Sequence, residues 1–311
     1  MSQAVGPAHG AVINFYWGFV CSTALFGITI NQSYTYFSNF DDGLAFRSLI
    51  AFLFVNDISS TILSSVAVHK ILMSKQGNNP LVGSEESERY FAAESVQTLV
   101  ITVATQMFFA RQVYIVDSKK RTTSAVIVIF SVLAISAGLV RIVLMATSSS
   151  MEPHFTKVMA TTLSENGCAA MSDIVATVAM CYKLVEASVD SQKMSSVVRT
   201  LMIYIFNRGI VVTAAQILIV VLYAYAPGKW YWLPVHMCVG KLYINTLLAM
   251  LNARRRLRLK AELPHLSDVN IKSSNIVINP TVDTPHEIVR VSFHPFGLPA
   301  DVSNECQETN V

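Results

Sequence analysis

Apolar residues run almost unbroken through seven stretches of the chain, at about 11–36, 46–72, 91–116, 123–146, 158–184, 199–226 and 231–251. A helix needs roughly 20 mostly apolar residues to cross a hydrocarbon layer about 30 Å thick, and each stretch is of that order. Without water, backbone N–H and C=O groups must bond within the segment, so each crossing is expected to be a helix. The pattern predicts an all-α, polytopic membrane protein, a seven-transmembrane-helix bundle over residues 11–258. Residues 1–10 are expected to form a short extracellular N-terminus and residues 259–311 a disordered cytoplasmic C-terminal tail. In that tail Pro264, Pro280, Pro285, Pro295 and Pro299 stand among Ser, Thr, Asn and Asp, a composition that buries too little apolar surface to offset its ordering entropy. Between the second and third stretches, Gly77, Asn78, Asn79, Pro80 and Gly83 precede Glu85, Glu86 and Glu88, which predicts a solvated loop over residues 73–90.

Composition sharpens this picture. Charged residues make up 14% of the chain, against about 25% in a soluble domain. The net charge of +3 is small, and no broad basic face suits nucleic acid. The placement of the basic residues says more. With the N-terminus outside, thirteen Lys and Arg fall on the cytoplasmic side, among them Lys119, Lys120, Arg121, Lys193 and Arg199. Five fall opposite, at Lys70, Lys75, Arg89, Lys157 and Lys229. That excess predicts an outer N-terminus and a cytosolic C-terminus, in the plasma membrane, with the first span as its own signal anchor. After the seventh span, Arg254, Arg255, Arg256, Arg258 and Lys260 form a stop-transfer cluster that could also hold anionic lipid, at about 1 kcal/mol per basic residue. Cys21, Cys168, Cys181 and Cys238 lie within spans, where reduced, buried thiols are expected, and no spacing suggests a metal site.

Polar residues inside the spans mark where a site would have to be. A charge at the bilayer centre costs about 2.5–3.5 kcal/mol on insertion scales and needs a partner or water. The spans hold the acids Asp57, Glu94, Glu165 and Asp173 and the bases Arg141, Arg208 and Lys241. Asp57, Ser60, Thr61 and Ser64 share one helix face, as do Glu94, Gln97, Thr98, Thr105 and Gln106, while Asn166 stacks with Asp173 and Lys241 with Asn245. The candidate intramembrane polar site is Asp57, Glu94, Asp173, Arg208, Lys241 and Asn245. At 1.5 Å per residue, Asp57, Asp173, Arg208 and Lys241 lie within one or two turns of a common plane. Lys241 and Arg208 are therefore expected to face Asp57 or Asp173. These groups serve either as packing pairs or as a ligand or ion site.

The run from Lys241 to Arg254, KLYINTLLAMLNAR, with Asp173 and the segment Tyr204-Ile205-Phe206-Asn207-Arg208-Gly209, resembles a large family of seven-helix membrane proteins from mushroom-forming fungi. The resemblance extends to residues 25–37 and Asp57, and covers roughly residues 11–258. It rests chiefly on the closing KLYxNxLLxxLNxR pattern. That family is a domain of unknown function, so the resemblance implies a fold and a fungal membrane setting and no activity. Arg208 and Val212 occupy positions that vary in it, so a role for Arg208 rests on chemistry alone.

Among function classes, the seven spans, the outer N-terminus and the Ser/Thr-bearing tail favour a receptor-like or sensory bundle with a small-molecule ligand of unknown kind. The alternative is a small-molecule or ion transporter, although the only proline inside an expected span is Pro234, near one end of the seventh. Lys241 also sits where a retinal Schiff base would, with Asp57, Glu94 or Asp173 as counter-ion, but the third span lacks the carboxylate and aromatic pattern of a chromophore pocket. No cofactor is implied. No nucleophile elbow, phosphate loop or His cluster points to an enzyme. The lipid bilayer is the one partner the composition names outright.

The basic asymmetry makes a direct prediction. A reporter fused after Val311 should be cytosolic and an N-terminal tag should be open to protease in intact cells; a protected N-terminal tag would reverse the orientation.

Overall fold

The computed structural model describes residues 5–39, 42–74, 85–116, 121–147, 155–189, 195–226 and 229–273. Among the described residues seven α-helices follow one another: α1 (Val5–Asn39), α2 (Leu44–Ser74), α3 (Glu85–Val116), α4 (Arg121–Thr147), α5 (Phe155–Val189), α6 (Ser195–Tyr225) and α7 (Leu233–Ser273). A turn of 3-10 helix, Trp230–Trp232, leads into α7. No strand occurs among the described residues. All seven helices are long and apolar enough to cross a membrane, over Val12–Asn39, Leu44–Ile71, Arg89–Val116, Arg121–Ala146, Thr156–Glu186, Thr200–Tyr225 and Trp230–Ala253. These agree with the expected spans to within a few residues. The architecture is that of a multi-pass membrane protein.

The ends differ from expectation. Helix α1 starts at Val5, inside the stretch expected as a free N-terminus. Pro7 does not prevent this, because first-turn N–H groups have no partner within the helix anyway. Helix α3 starts at Glu85, so Glu85, Glu86 and Glu88 belong to its first turn rather than to a loop. Negative charge is favoured at a helix N-terminus, where the macrodipole is positive. Helix α7 continues to Ser273, past the expected domain limit at 258. Most of the loop expected over residues 73–90, and the tail beyond Ser273, lie outside the described residues. The described residues up to Leu266 form one compact unit.

Within this unit the burial pattern is inverted relative to a water-soluble protein. Val55, Ile62, Ile129, Leu139, Val178 and Val221 are exposed, whereas Asp57, Arg141, Asp173, Arg208 and Lys241 are buried. Charged side chains are almost never buried in soluble proteins unless paired, and a continuous apolar exterior would be insoluble. A lipid surround accounts for both. Cys21, expected as a buried thiol, is exposed on α1, while Cys168, Cys181 and Cys238 are half-buried, and all four are free. A weakly polar thiol faces lipid at little cost.

Helices adjacent in sequence pack together from α1 to α6, and α3 also meets α5. Ser131 of α4 and Ser172 of α5 share a hydrogen bond at 3.1 Å across one of these contacts. Helix α7 occupies the middle: 67% of its apolar 18-residue stretch is buried, against 22% for that of α1. Its side chains bond to α1 through Asn245 and Asn252, to α2 through Lys241 and to α5 through Tyr243. Close approach of α1 to the start of α7 depends on Gly18, where an added Cβ would lie 2.8 Å from Pro234 Cα and 2.9 Å from Met237 Sδ. Small residues of this kind let membrane helices pack backbone to backbone.

Gly18→Ala should therefore lower the thermal unfolding midpoint in detergent, with a cost of about 1–3 kcal/mol from overpacking. Gly27→Ala in the same helix, where nothing lies within 4 Å of the added Cβ, should leave the midpoint unchanged or raise it. Equal effects at the two glycines would contradict this α1–α7 contact.

Candidate functional site

The ammonium of Lys241 projects from α7 towards α2. Its Nζ lies 2.5 Å from Asp57 Oδ1, and it donates to the Asp57 main-chain oxygen at 2.9 Å and to Thr61 Oγ1 at 2.6 Å. The ion pair and two hydrogen bonds hold the ammonium, while neither carboxylate oxygen of Asp57 has a hydrogen-bond donor among the described residues. The ring of Phe26 on α1 closes the site, its centroid 5.2 Å from Nζ. Asp57 and Thr61 are neighbours on one face of α2 because they are one turn apart, so the polar stripe of α2 is the socket for this lysine.

A second pair lies on the other side of α7. Arg208 Nη2 of α6 donates to Asp173 Oδ1 of α5 at 2.8 Å, both side chains being 1% exposed. The Tyr243 hydroxyl donates to Asp173 Oδ2, and Gln216 Nε2 donates to the Tyr243 oxygen at 2.7 Å. The guanidinium also stacks on Phe109 of α3, 3.7 Å from the ring centroid, a cation–π contact strengthened by the absence of water. Next to Arg208, Gly209 meets the Thr177 side chain so closely that a Cβ there would overlap it. That contact draws α6 onto α5 beside the pair.

The third pair sits where α4 ends and α3, α5 and α7 begin. Arg141 engages Glu165 through Nε at 2.6 Å and Nη2 at 3.3 Å, a two-pronged contact suited to the planar guanidinium. Its Nη1 reaches Ser95 Oγ at 3.4 Å and Met145 Sδ at 3.6 Å. Beside it, Glu94 accepts from Thr98 Oγ1 at 2.9 Å through Oε1. Its Oε2 lies 3.7 Å from His236 Nε2 and has no hydrogen-bond donor among the described residues. His236 is held between Phe91 and Trp232, with ring centroids 5.6 Å away in each case.

A cavity of about 20 Å³ lies between α3, α5, α6 and α7, bordered by Thr98, Gln106, Glu165, Asn166, Gln216 and His236. That is room for about one water molecule, and the lining offers it several polar partners. Gln106 Oε1 and Gln216 Oε1 are buried without a hydrogen-bond partner among the described residues. Among the described residues no group of three or more His, Cys, Asp or Glu could hold a metal ion.

The six candidate residues are thus distributed rather than gathered. Lys241 meets Asp57, Arg208 meets Asp173, and Glu94 belongs with His236 near one end of the bundle. Asn245, one turn beyond Lys241 on the same face of α7, meets none of these charges and donates to the Leu25 main-chain oxygen of α1 at 2.9 Å. Tyr243, Gln216 and His236 were not among the candidates. A signal for Tyr243 was present: it stands two residues after Lys241, about 200° around the helix, so α7 carries polar groups on opposite faces, as a central helix must.

Residues 169–256 match the model of a family of unknown function, DUF6534. The matched stretch includes Asp173, Arg208, Gln216, His236, Lys241, Tyr243 and Asn245. No curated protein and no solved structure matches the chain.

The pairing predicts specific couplings. Lys241→Met should cost about 3–5 kcal/mol of stability by stranding a buried carboxylate. Adding Asp57→Asn should recover a large part of that loss, whereas adding Asp173→Asn should not. Thermal unfolding of the singles and doubles in detergent checks this; recovery with Asp173→Asn in place of Asp57→Asn would reverse the assignment.

Proposed function

We propose that this chain is a receptor-like or sensory seven-helix bundle of the plasma membrane, with its N-terminus outside, in which α7 carries the response between the two ends. The observation that supports this reading is the convergence of side-chain contacts on α7. It is tied to α2 by Lys241, to the α5–α6 ion pair by Tyr243, and to α1 by Asn245 and Asn252. Buried ion pairs do not stretch gradually, because a separated charge without water is costly. A small-molecule stimulus that shifts α7 would exchange one set of pairs for another, the discrete kind of change on which a switch depends. On this reading the residues beyond α7 deliver the output, and Arg254, Arg255, Arg256, Arg258 and Lys260 hold the cytosolic end against anionic lipid. The alternative, a small-molecule or ion transporter, draws support from the polar cavity beside Gln106 and Gln216.

The test uses spin labels on the exposed ends of α3 and α6, at Ile115→Cys and Ile203→Cys in a background lacking other cysteines. The switch reading expects one inter-label distance in the parent protein and a second, populated distance when Lys241→Met and Asp57→Asn together remove the α2–α7 pair. A single unchanged distance in both proteins would overturn it. Protein-dependent proton or ion flux in liposomes, abolished by the same double substitution, would favour the transporter.

A further inference from the structure

We propose that Glu94 and His236 form a binding site for one proton inside the bundle, exchanged with water through the neighbouring cavity. The inference stands whether the protein is a sensor or a transporter, because it rests on charge balance and geometry.

Among the described residues, the charged groups turned into the core of the spans are the acids Asp57, Glu94, Glu165 and Asp173 and the bases Arg141, Arg208 and Lys241. Three of the acids are matched: Asp57 by Lys241, Glu165 by Arg141 and Asp173 by Arg208. Glu94 is the remainder. It is 3% exposed, so bulk water does not solvate it, and the two cations whose charge reaches it, Lys241 and Arg141, are each already held by another carboxylate. An ionised Glu94 beside a neutral His236 would leave an uncompensated negative charge among buried groups. One proton removes the imbalance.

The atoms are placed for it. Thr98 occupies Oε1, leaving Oε2 without a donor and 3.7 Å from His236 Nε2. A small side-chain rotation closes that gap to hydrogen-bonding distance, with the proton on either atom. The other groups facing this corner are committed or apolar in character. Ser95 Oγ lies 3.5 Å from Nε2 and also receives Arg141, Cys238 of α7 is a free thiol, and Tyr223 of α6 packs on Trp232 at 5.1 Å between centroids. No other carboxylate is within salt-bridge distance of His236 among the described residues.

A place for a water molecule adjoins the pair. His236 and Thr98 both border the cavity, whose size fits one water and whose walls include the unpartnered oxygens of Gln106 and Gln216. A water there can pass a proton to Nε2, or through the Thr98 hydroxyl to Glu94. The proton comes from hydronium, which becomes water as one O–H bond forms at Glu94 or one N–H bond at His236; nothing is oxidised or reduced. From the same cavity, Gln216 donates to Tyr243, which donates to Asp173, so occupancy at Glu94 borders a hydrogen-bonded line to the Arg208 pair.

Infrared difference spectra between acidic and alkaline buffer, on the full chain in lipid nanodiscs, test the proposal. The expected result is a carbonyl band of a protonated carboxylic acid, shifted in heavy water, that Glu94→Gln removes and Glu165→Gln does not. Selective 15N labelling of histidine reports the other arm, since an imidazolium at His236 in place of the carboxylic acid band also places the proton in this site. A band that survives Glu94→Gln would overturn the proposal, as would a neutral His236 with no carboxylic acid band throughout the pH range. Should Glu94→Gln fail to accumulate, 13C labelling of glutamate in the unaltered protein substitutes for it: a glutamate carbonyl band that titrates together with the His236 resonance supports the site, and a band insensitive to the label contradicts it.

Discussion

Charge buried away from water must be neutralised on the spot, and this constraint organises the whole bundle. An ammonium or guanidinium within the spans has no solvent to turn to, so its helix is oriented by the carboxylate it must reach. Lys241 holds α7 to α2, Arg208 holds α6 to α5, and Arg141 holds α4 to α5. Burying apolar surface does not order helices in lipid as it does in water, because the lipid tails are as apolar as Leu or Val. The pairs, the side-chain hydrogen bonds to α1 and close contacts such as Gly18 against Pro234 supply the specificity instead.

The same constraint explains what could be anticipated from residues alone. Span positions follow from length and hydropathy, which is why the stretch 121–146 needed little beyond its composition. The inward faces of α2 and α3 followed from helical phase, and Asp57, Ser60, Ser64, Glu94, Thr98, Thr105 and Gln106 are buried as that phase requires. Which base meets which acid was not legible. Asp57, Asp173, Arg208 and Lys241 stand at similar depths, and depth without helix order leaves the pairings degenerate. Tyr243 was missed for a different reason: tyrosine in a span is ordinarily an apolar body with a polar tip at the interface. Only the central position of α7 places its hydroxyl against a buried aspartate. The helix starts at Val5 and Glu85 were hidden because weakly apolar or acidic residues carry helix into regions that hydropathy assigns to water.

Two kinds of polar group emerge from this geometry. The first kind ties helices together, such as Lys241 with its ion pair and two hydrogen bonds to α2, and such groups specify packing. The second kind has unused capacity: Glu94 Oε2, Gln106 Oε1 and Gln216 Oε1, the glutamines on the cavity wall and Glu94 one hydrogen bond behind it through Thr98. Native structures leave few buried polar atoms without partners, and the two glutamine oxygens on this wall have beside them a space that a water molecule fits. His236, near the start of α7, borders this space and Lys241 does not, although the lysine is the more conspicuous residue in the sequence.

The central claim is that a charge pair between α2 and α7 sets the position of the central helix, and exchanging the two charges tests it most directly. Asp57→Lys alone places two cations together, and Lys241→Asp alone places two anions together, so each should greatly reduce the folded yield and thermal stability of purified protein. The exchange of both should restore a substantial part of that loss, because the pair is re-formed with its direction reversed. A double exchange no more stable than the worse of the two single variants would contradict the account and show that α7 is held by its remaining contacts.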